Sequence, residues 1–299
     1  YDWDSDGDMD LLSGNTAGYI EFFENLSGPN VESPKWAAPL RLQAGGETFR
    51  IMAGPNGSIQ GPAEAKWGYT TLSVADWDGD KLPDILVNGI WGQVMLLRNT
   101  GTANKPQLAA AQVLQVAWSD APTKPAWMWW NPKDNELATQ WRTTPLGIDW
   151  NRDGLTDLLS LDHEGYFCLY ERKRQDGKLI LLPPKRVFYG DNNSITDPNH
   201  RVRSAAAGPL QLNYRIAGGS GRRKVWATDW NGDGNVDLLV NSSNANLLLQ
   251  VKSTETHWTF HDTGPLVKQS IQGHTTSPTV VDFNGDGIPD YLGGAEDGR

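Results

Sequence analysis

Oxygen-bearing side chains recur at fixed spacing in five nine-residue stretches of this sequence. The clearest stretch, 229–237, reads DWNGDGNVD, and the other four begin at Asp2, Asp76, Asp149 and Asp282. Every copy has Asp or Asn at positions 1, 3, 5 and 9, and all but one have glycine at position 6. A chain curling around a centre would direct these oxygens inward, and glycine permits the sharp turn. Ca²⁺ prefers oxygen ligands of this kind, so the pattern predicts calcium loops.

The predicted ligands are the residues at positions 1, 3, 5 and 9 of each loop. An EF-hand shares the opening of the pattern, but it closes on Glu at position 12 between helices, whereas these loops close on Asp between strand-like runs. We expect up to five structural sites, with the site at 76–84 distorted, weak or empty, because Lys81 stands where the turn favours glycine. The predicted ligands are Asp2, Asp4, Asp6, Asp10, Asp76, Asp78, Asp80, Asp84, Asp149, Asn151, Asp153, Asp157, Asp229, Asn231, Asp233, Asp237, Asp282, Asn284, Asp286 and Asp290.

The acidity of the chain follows from these loops. The formal net charge is -10, and the loops contain 18 of the 36 acidic residues. Bound calcium would offset this charge, and an acidic chain is a poor partner for nucleic acid. Loops of this sort fill at roughly millimolar calcium, which favours an extracellular, periplasmic or cell-surface location. The lone Cys168 cannot form an internal disulfide, and no apolar run resembles a membrane span or a signal peptide.

The elements around the loops repeat in a fixed order. Each loop follows an alternating or apolar run and leads into another, such as 84–88, 157–161 and 237–240, with a turn and a further strand behind it. Successive loops begin 74, 73, 80 and 53 residues apart. A four-stranded blade needs on the order of 40 to 50 residues, so the first three intervals carry insertions. The pattern predicts an all-β fold, a β-propeller of four-stranded antiparallel blades with a calcium loop between the first and second strands.

A solenoid or a string of small domains is the alternative, but no Pro- or Ser-rich linker separates the units. The units resemble the FG-GAP/VCBS-type repeats of calcium-binding propellers, which also occur in integrin α-subunits. The residues that carry the resemblance are 76–80 with 99–102, and 282–287. It extends over the whole chain in spaced motifs, so residues 1–299 are predicted to form a single propeller domain. Four full repeats and a partial one are visible, and we expect either a piece of a larger, seven-bladed propeller or further units whose loops have lost the signature.

The insertions share one face of the predicted disc, opposite the calcium loops. They run from about 45 to 66, 117 to 144, 172 to 224 and 268 to 277, and their aromatic and basic residues suit sugar rings that bear carboxylate or sulfate. Packing of the insertions themselves is the competing interpretation for each tryptophan. The candidate substrate-binding residues are Trp91, Trp127, Trp129, Trp141, Arg142 and His200.

The family resemblance includes adhesion modules, lectin-like modules and polysaccharide lyases, so it leaves function open. A lyase must neutralise a uronate carboxylate, remove the neighbouring C5 proton and protonate the leaving oxygen. We favour this activity on an acidic polysaccharide. The alternative is a non-catalytic propeller that binds carbohydrate or a cell-surface protein, without membrane insertion. The candidate catalytic residues are His274, His163, Tyr214, Arg201 and Arg203.

Three further sets of residues have other expected roles. A glycoside hydrolase would need two carboxylates from this face, for which Glu64, Asp134, Glu136 and Glu164 are available, with nothing selecting a pair. His257 and His261 flank a strand-like run and are predicted to be outer-strand residues. The aromatic residue at position 2 of every calcium loop is predicted to pack between blades.

Overall fold

The computed structural model describes residues 1–124, 130–133, 135–191, 207–213, 222–270 and 276–295. These residues form β-strands and irregular connections, with one short 3-10 helix at Pro62–Glu64 and no α-helix in the described ranges. The strands are arranged in several small sheets in which neighbouring strands are almost all antiparallel. The predicted all-β class is confirmed, and the arrangement is consistent with a β-propeller. The number of blades stays a prediction.

The first unit is a small antiparallel sheet followed by a hairpin. The sheet has the order β1-β2-β3, and the hairpin pairs β4 with β5. The five strands are β1 Leu11–Gly14, β2 Ile20–Phe23, β3 Leu40–Arg41, β4 Gln43–Ala44 and β5 Glu47–Thr48.

The second unit is an antiparallel meander of four strands. Its strands pair in sequence order, and the loop that begins at Asp76 joins the first strand to the second. This is the blade that the sequence predicts. The strands are β6 Thr71–Ala75, β7 Asp84–Asn88, β8 Met95–Leu97 and β9 Gln112–Val113.

The third unit has a three-stranded sheet and additional short strands in its insertion. The sheet has the order β10-β11-β12, and β13 pairs with β14 as a hairpin. The seven strands are β10 Leu146–Ile148, β11 Asp157–Leu161, β12 Phe167–Tyr170, β13 Arg172–Gln175, β14 Lys178–Leu181, β15 Phe188–Gly190 and β16 Gly208–Pro209.

The fourth unit is again a four-stranded antiparallel meander, and the third unit extends it. β15 pairs in parallel with the last strand of the meander, so the sheet has the order β16-β15-β20-β19-β18-β17. A two-stranded pair, β21-β22, follows. His261 lies in β20 and His257 immediately precedes it, in the outer position predicted for both. The strands are β17 Val225–Thr228, β18 Asp237–Asn241, β19 Ala245–Ser253, β20 Trp258–Pro265, β21 Thr276–Val281 and β22 Asp290–Ala295.

The hydrophobic core lies between neighbouring units. The strands that follow the second, third and fourth loops are buried along their whole length, which explains their continuous apolar character. The aromatic residues at position 2 contribute as predicted: Trp3, Trp77 and Trp150 are buried. Trp150 packs edge-on against Phe188, with ring centroids 4.9 Å apart. The loops at 2–10, 76–84 and 149–157 are thereby anchored in the interblade core.

The turn after each second strand lies at the opposite end of the unit from the calcium loop. Each turn is hydrogen-bonded to the insertion that leads into the next unit. Ile51 N donates to Gly18 O at 2.9 Å, and Leu212 N donates to Gly165 O at 3.0 Å. These contacts place the turns and the insertions on one face, as the sequence predicts.

Gly165 is required in its turn for two separate reasons. Its φ is +85°, and an added Cβ would lie 1.8 Å from the Asn213 carbonyl oxygen. Gly177, in the β13–β14 turn, has φ +75° and no heavy atom within 4 Å of such a Cβ. We therefore expect Gly177→Ala to lower the free energy of unfolding by about 1 kcal/mol, and Gly165→Ala by several kcal/mol, because only the latter must also displace backbone. Urea unfolding of both variants measures the difference. Equal losses would contradict the steric explanation.

Candidate functional site

The five loops have one common hydrogen-bond pattern, built on the Asp at position 1. In the loop at 229–237, Asp229 Oδ1 accepts from the Asp233 N–H at 3.1 Å, and Oδ2 accepts from the Gly234 N–H at 2.9 Å. The Asp at position 5 then accepts from the N–H two residues later, as Asp233 does from Asn235 at 2.8 Å. The same bonds are made by the first residues of the other loops, Asp2, Asp76, Asp149 and Asp282. The side chains at positions 1, 3 and 5 are thus gathered within each turn.

The loop at 76–84 adopts this geometry despite its lysine. Lys81 has φ +71°, close to the +84° of Gly234, and its N–H donates to Asp76 Oδ2 at 2.9 Å. The prediction that lysine distorts the backbone here is wrong. The hydrogen bonds to Asp76 compensate for the left-handed conformation that lysine adopts with difficulty.

The Asp at position 9 differs from the other three ligands because it is anchored within the blade. Asp157 Oδ2 accepts from the Trp150 N–H at 3.2 Å, and Oδ1 accepts from the Arg172 N–H at 2.8 Å. Asp10, Asp84 and Asp237 make the equivalent pair of bonds, and all four are buried. Asp290 accepts from the Phe283 N–H. This residue therefore ties the loop to the strand that follows the next turn, whether or not it also binds a metal.

The electrostatics of the loops fit a hard cation. Burial raises the pKa of Asp84 and that of Asp157 to about 6, against the opposing effect of their backbone hydrogen bonds. Carboxylate oxygens of three residues lie within 4.8 Å of one another in two loops, at Asp2, Asp4 and Asp6 and at Asp76, Asp78 and Asp84. Charge gathered in this way is costly unless a cation compensates it.

The first loop has a second feature that favours a cation. Asp4 Oδ1 and Asp8 Oδ1 are buried and accept no hydrogen bond from the described residues. The whole Asp8 residue is only 4% exposed. Buried carboxylate oxygens without partners are rare, because losing water costs free energy that a hydrogen bond or an ion must restore. An all-oxygen donor set of this kind suits Ca²⁺.

Neighbouring loops contact each other directly. Thr156 Oγ1 of the third loop donates to the Asp76 carbonyl oxygen of the second at 2.6 Å, and Arg152 Nη2 donates to the Gly234 carbonyl oxygen of the fourth at 3.1 Å. Arg172 also lies over the Trp77 ring, with its Cζ 4.0 Å from the centroid. Loops two, three and four therefore form a continuous row.

On the insertion face, two predicted substrate-binding residues are internal. Trp141 is 0% exposed and Arg142 is 4% exposed, so neither can act as the accessible contact that the sequence suggests. Arg142 Nη2 lies 3.4 Å from Glu64 Oε1, and its Cζ lies 3.0 Å from the centroid of the Tyr69 ring. Glu64 is also buried and accepts a hydrogen bond from the Tyr69 hydroxyl. It is therefore excluded as one of the two catalytic carboxylates of a glycoside hydrolase. Burial raises the pKa of Tyr69 to about 12, so this tyrosine is a poor base.

Arg142 has a fixed position in the repeat, although its two equivalents are only half-buried. Tyr69, Arg142 and Arg222 each lie seven residues before a calcium loop, and each has a left-handed φ, of 50°, 59° and 64°. The chain turns here into the innermost strand. The sequence signal is only this fixed distance from the loops, because the three residue types differ.

An exposed aromatic surface does occur on this face, at the junction of the first two units. Trp91 Nε1 donates to the Met52 carbonyl oxygen at 2.8 Å, and Ala53 N donates to the Trp67 carbonyl oxygen at 2.9 Å, so these residues are neighbours. Met52 and Trp67 are exposed, and Trp91 is half-buried. Trp130 extends it, edge-on to Trp91 at 6.5 Å. We call Met52, Trp67, Trp91 and Trp130 the aromatic surface. The sequence predicts Trp91 as a substrate-binding residue. It does not predict Trp67, which is 40% exposed, because nothing in the sequence around this single tryptophan indicates binding.

Positive charge borders the aromatic surface. Arg50 Nη2 donates to the Lys66 carbonyl oxygen at 3.0 Å, and its Nε donates to the Ala17 carbonyl oxygen at 3.0 Å. Its guanidinium lies 4.7 Å from the Tyr19 ring centroid. Lys66 precedes Trp67 and is itself exposed. A fixed guanidinium and an ammonium group therefore lie beside the exposed Trp67.

Of the candidate catalytic residues, the structure places one. His163 is half-buried in the turn after β11, next to Glu164, whose pKa is lowered by a hydrogen bond from Arg186. Glu136 accepts from the Lys133 N–H at 2.9 Å. The other candidates for catalysis, substrate binding or hydrolysis lie outside the described residues: His274, Tyr214, Arg201, Arg203, Trp127, Trp129, His200 and Asp134.

Comparison with known families identifies the repeat. Residues 229–293, which contain the fourth and fifth loops, match the FG-GAP-like repeat. This bears out the predicted FG-GAP/VCBS-type repeat and supports a propeller-type fold. No curated protein sequence matches the chain. Within the described residues, no helix has the length and apolar character needed to cross a membrane.

The two roles of the loop aspartates are separable by substitution in the presence of a chelator. In Asp237→Asn the side-chain NH₂ group would replace one of the two oxygens that accept from the Trp230 and Gln250 N–H groups. One of these buried N–H groups would lose its acceptor, which costs about 1 to 3 kcal/mol. Asp233→Asn, at an exposed position, is the matched control. We expect only the first to lower the free energy of unfolding in EDTA by this amount. Equal effects of the two variants would contradict a structural role for position 9.

Proposed function

We propose that this chain, which carries an FG-GAP-like repeat, is a secreted, calcium-stabilised β-propeller that binds acidic polysaccharide on its insertion face. The observation that carries the proposal is the aromatic surface with Arg50 and Lys66 at its border. Trp67 stands exposed, although burial against the protein would stabilise so large an apolar side chain. A sugar ring stacks on a flat aromatic face, and the adjacent cations select a sugar that bears carboxylate or sulfate.

Calcium has a supporting role in the proposed function. The residues at positions 1, 3, 5 and 9 of the loops would hold the ions, which neutralise buried carboxylates and stiffen the end of each blade away from the insertions. The oxygen-only donors and the unpartnered oxygens of Asp4 and Asp8 support this assignment. Low-affinity oxygen sites fill at extracellular calcium concentrations, which supports secretion or display at the cell surface.

Within this proposal, we favour β-elimination at a uronic acid as the chemistry. A cation beside the carboxylate acidifies the C5 proton; a base removes it, the electron pair forms the C4–C5 double bond, and the C4 oxygen leaves with a proton from an acid. Arg50 and Lys66 could supply the neutralising charge, and His163 is the candidate acid or base among the described residues. Binding of polysaccharide or of a cell-surface protein without chemistry is the alternative.

Trp67 and Trp36 provide a matched pair for testing the binding surface. They are 40% and 39% exposed, but Trp36 contacts Phe283 of the fifth calcium loop, with ring centroids 6.1 Å apart. We expect Trp67→Ala to weaken binding to an acidic polysaccharide about tenfold in affinity electrophoresis, by loss of stacking worth about 1.4 kcal/mol, and Trp36→Ala to leave it unchanged. If the two variants bound the polysaccharide equally well, the binding site would lie outside the aromatic surface.

The lyase activity has a direct optical test. Elimination creates an unsaturated uronate that absorbs in the ultraviolet, so we expect rising absorbance when the chain is incubated with one of ulvan, rhamnogalacturonan, gum arabic or alginate. His163→Ala should slow this rise at least tenfold if His163 transfers a proton. A flat trace on all four polymers, with binding retained on affinity gels, would leave the non-catalytic alternative.

Removing calcium should destabilise the chain in a pH-dependent way. Ligands that bind only the native state raise its melting temperature, so we expect EDTA to lower it. Asp84 and Asp157 have folded pKa values above those of free aspartate, so without metal their contribution to stability falls as the pH rises from about 4 to about 6. The loss on chelation should therefore be larger at pH 7.5 than at pH 5. An unchanged melting temperature at pH 7.5 would remove calcium from the proposal.

A further inference from the structure

The loop at 76–84, which we call loop 2, contains an ion pair that involves its predicted ligands. Arg98 Nε lies 2.6 Å from Asp78 Oδ2, and Arg98 Nη2 lies 4.0 Å from Asp80 Oδ2. Asp78 and Asp80 occupy positions 3 and 5. Among the described residues, no lysine or arginine side chain forms an ion pair with an Asp of the other four loops. Loop 2 therefore has a neighbouring positive charge of its own.

The backbone of loop 2 gives no reason for it to behave differently. Asp76 accepts from the Asp80 and Lys81 N–H groups at 3.1 Å and 2.9 Å, as the first Asp does in the other loops. The oxygens of Asp76, Asp78 and Asp84 lie within 4.8 Å of one another. Geometry alone would admit a cation, so any difference in affinity arises from side-chain charge.

The fold holds Arg98 beside the loop. The N–H of the next residue, Asn99, donates to Asp84 Oδ1 at 2.7 Å, which fixes the end of this strand against the loop. In the first, third and fourth units, the N–H groups of Asn25, Arg172 and Gln250 make this bond. The residues preceding them, at the position equivalent to Arg98, are Glu24, Glu171 and Leu249. Of these four units, only the second has a cation there.

We propose that Arg98 is the resident cation of loop 2, and that this loop takes calcium only at concentrations well above those that fill the other loops. The inference rests on the calcium part of the proposed function. Calcium lies about 2.3–2.6 Å from its ligand oxygens, so an ion bound by Asp78 would lie close to the guanidinium that contacts the same carboxylate and would be repelled by it. Lys81 adds a second positive charge. Loop 2 would thus have its negative charge partly compensated without metal.

Calcium stoichiometry separates loop 2 from the others. The measurement is equilibrium dialysis at the first plateau of the unaltered chain, the free calcium concentration at which the other loops are full and loop 2 is still empty. Asp78→Asn should leave the number of bound ions unchanged, whereas Asp233→Asn, in the fourth loop, should lower it by one. Arg98→Gln should raise it by one, because removal of the guanidinium strengthens loop 2 at least tenfold.

Arg41 supplies the matched control for Arg98. Its side chain is similarly exposed, 55% against 50%, and lies 3.8 Å from Glu21, away from the loops, so Arg41→Gln should leave the stoichiometry unchanged. A loss of one ion in Asp78→Asn, or no gain in Arg98→Gln, would overturn the role of Arg98. No loss in Asp233→Asn would instead overturn calcium binding by the fourth loop, which makes the two failures distinguishable.

Discussion

The structure depends on one interaction repeated from blade to blade: a buried carboxylate that accepts two backbone N–H groups. In the third unit Asp157 joins the Trp150 N–H at the start of the loop to the Arg172 N–H beyond the next turn. Hydrogen bonds to an ionised group are stronger than neutral ones, and leaving such N–H groups buried without partners would be costly. The same residue brings negative charge into the blade, so the loop around it favours a cation.

This interaction explains why the two faces of the molecule divide their roles. The loop end is fixed by the paired N–H groups, by the aromatic residue at position 2 and by contacts such as Thr156 with Asp76. The opposite end is free to carry insertions of different length, because the strands beneath them are already held in place. Its turns are nevertheless joined to the insertions through backbone bonds, such as that between Leu212 and Gly165. A rigid scaffold with long loops is the arrangement on which binding surfaces commonly develop.

The sequence predicts the loops well because their chemistry is local: the ligands, the glycine and the aromatic residue lie within nine positions. It predicts the insertion face poorly, because an aromatic residue in an insertion is equally suited to packing and to binding. Trp141 lies in a tryptophan-rich segment yet is buried, whereas the isolated Trp67 is exposed. The two differ in position: Trp141 immediately precedes the left-handed turn at Arg142, whereas Trp67 lies two residues before the equivalent turn at Tyr69. Such turns depend on contacts with the neighbouring unit, which no local pattern encodes.

Loop 2 shows the same limit in another form. Lysine at the glycine position suggests a distorted backbone, yet the backbone is maintained by Asp76, and the relevant difference is a charge contributed by a later strand. Arg98 reaches Asp78 because strand pairing and the bond from Asn99 to Asp84 set the register. Local sequence therefore determines the shape of a loop, whereas the register of the blade determines its charge. A calcium affinity inferred from the nine loop residues alone omits the second contribution.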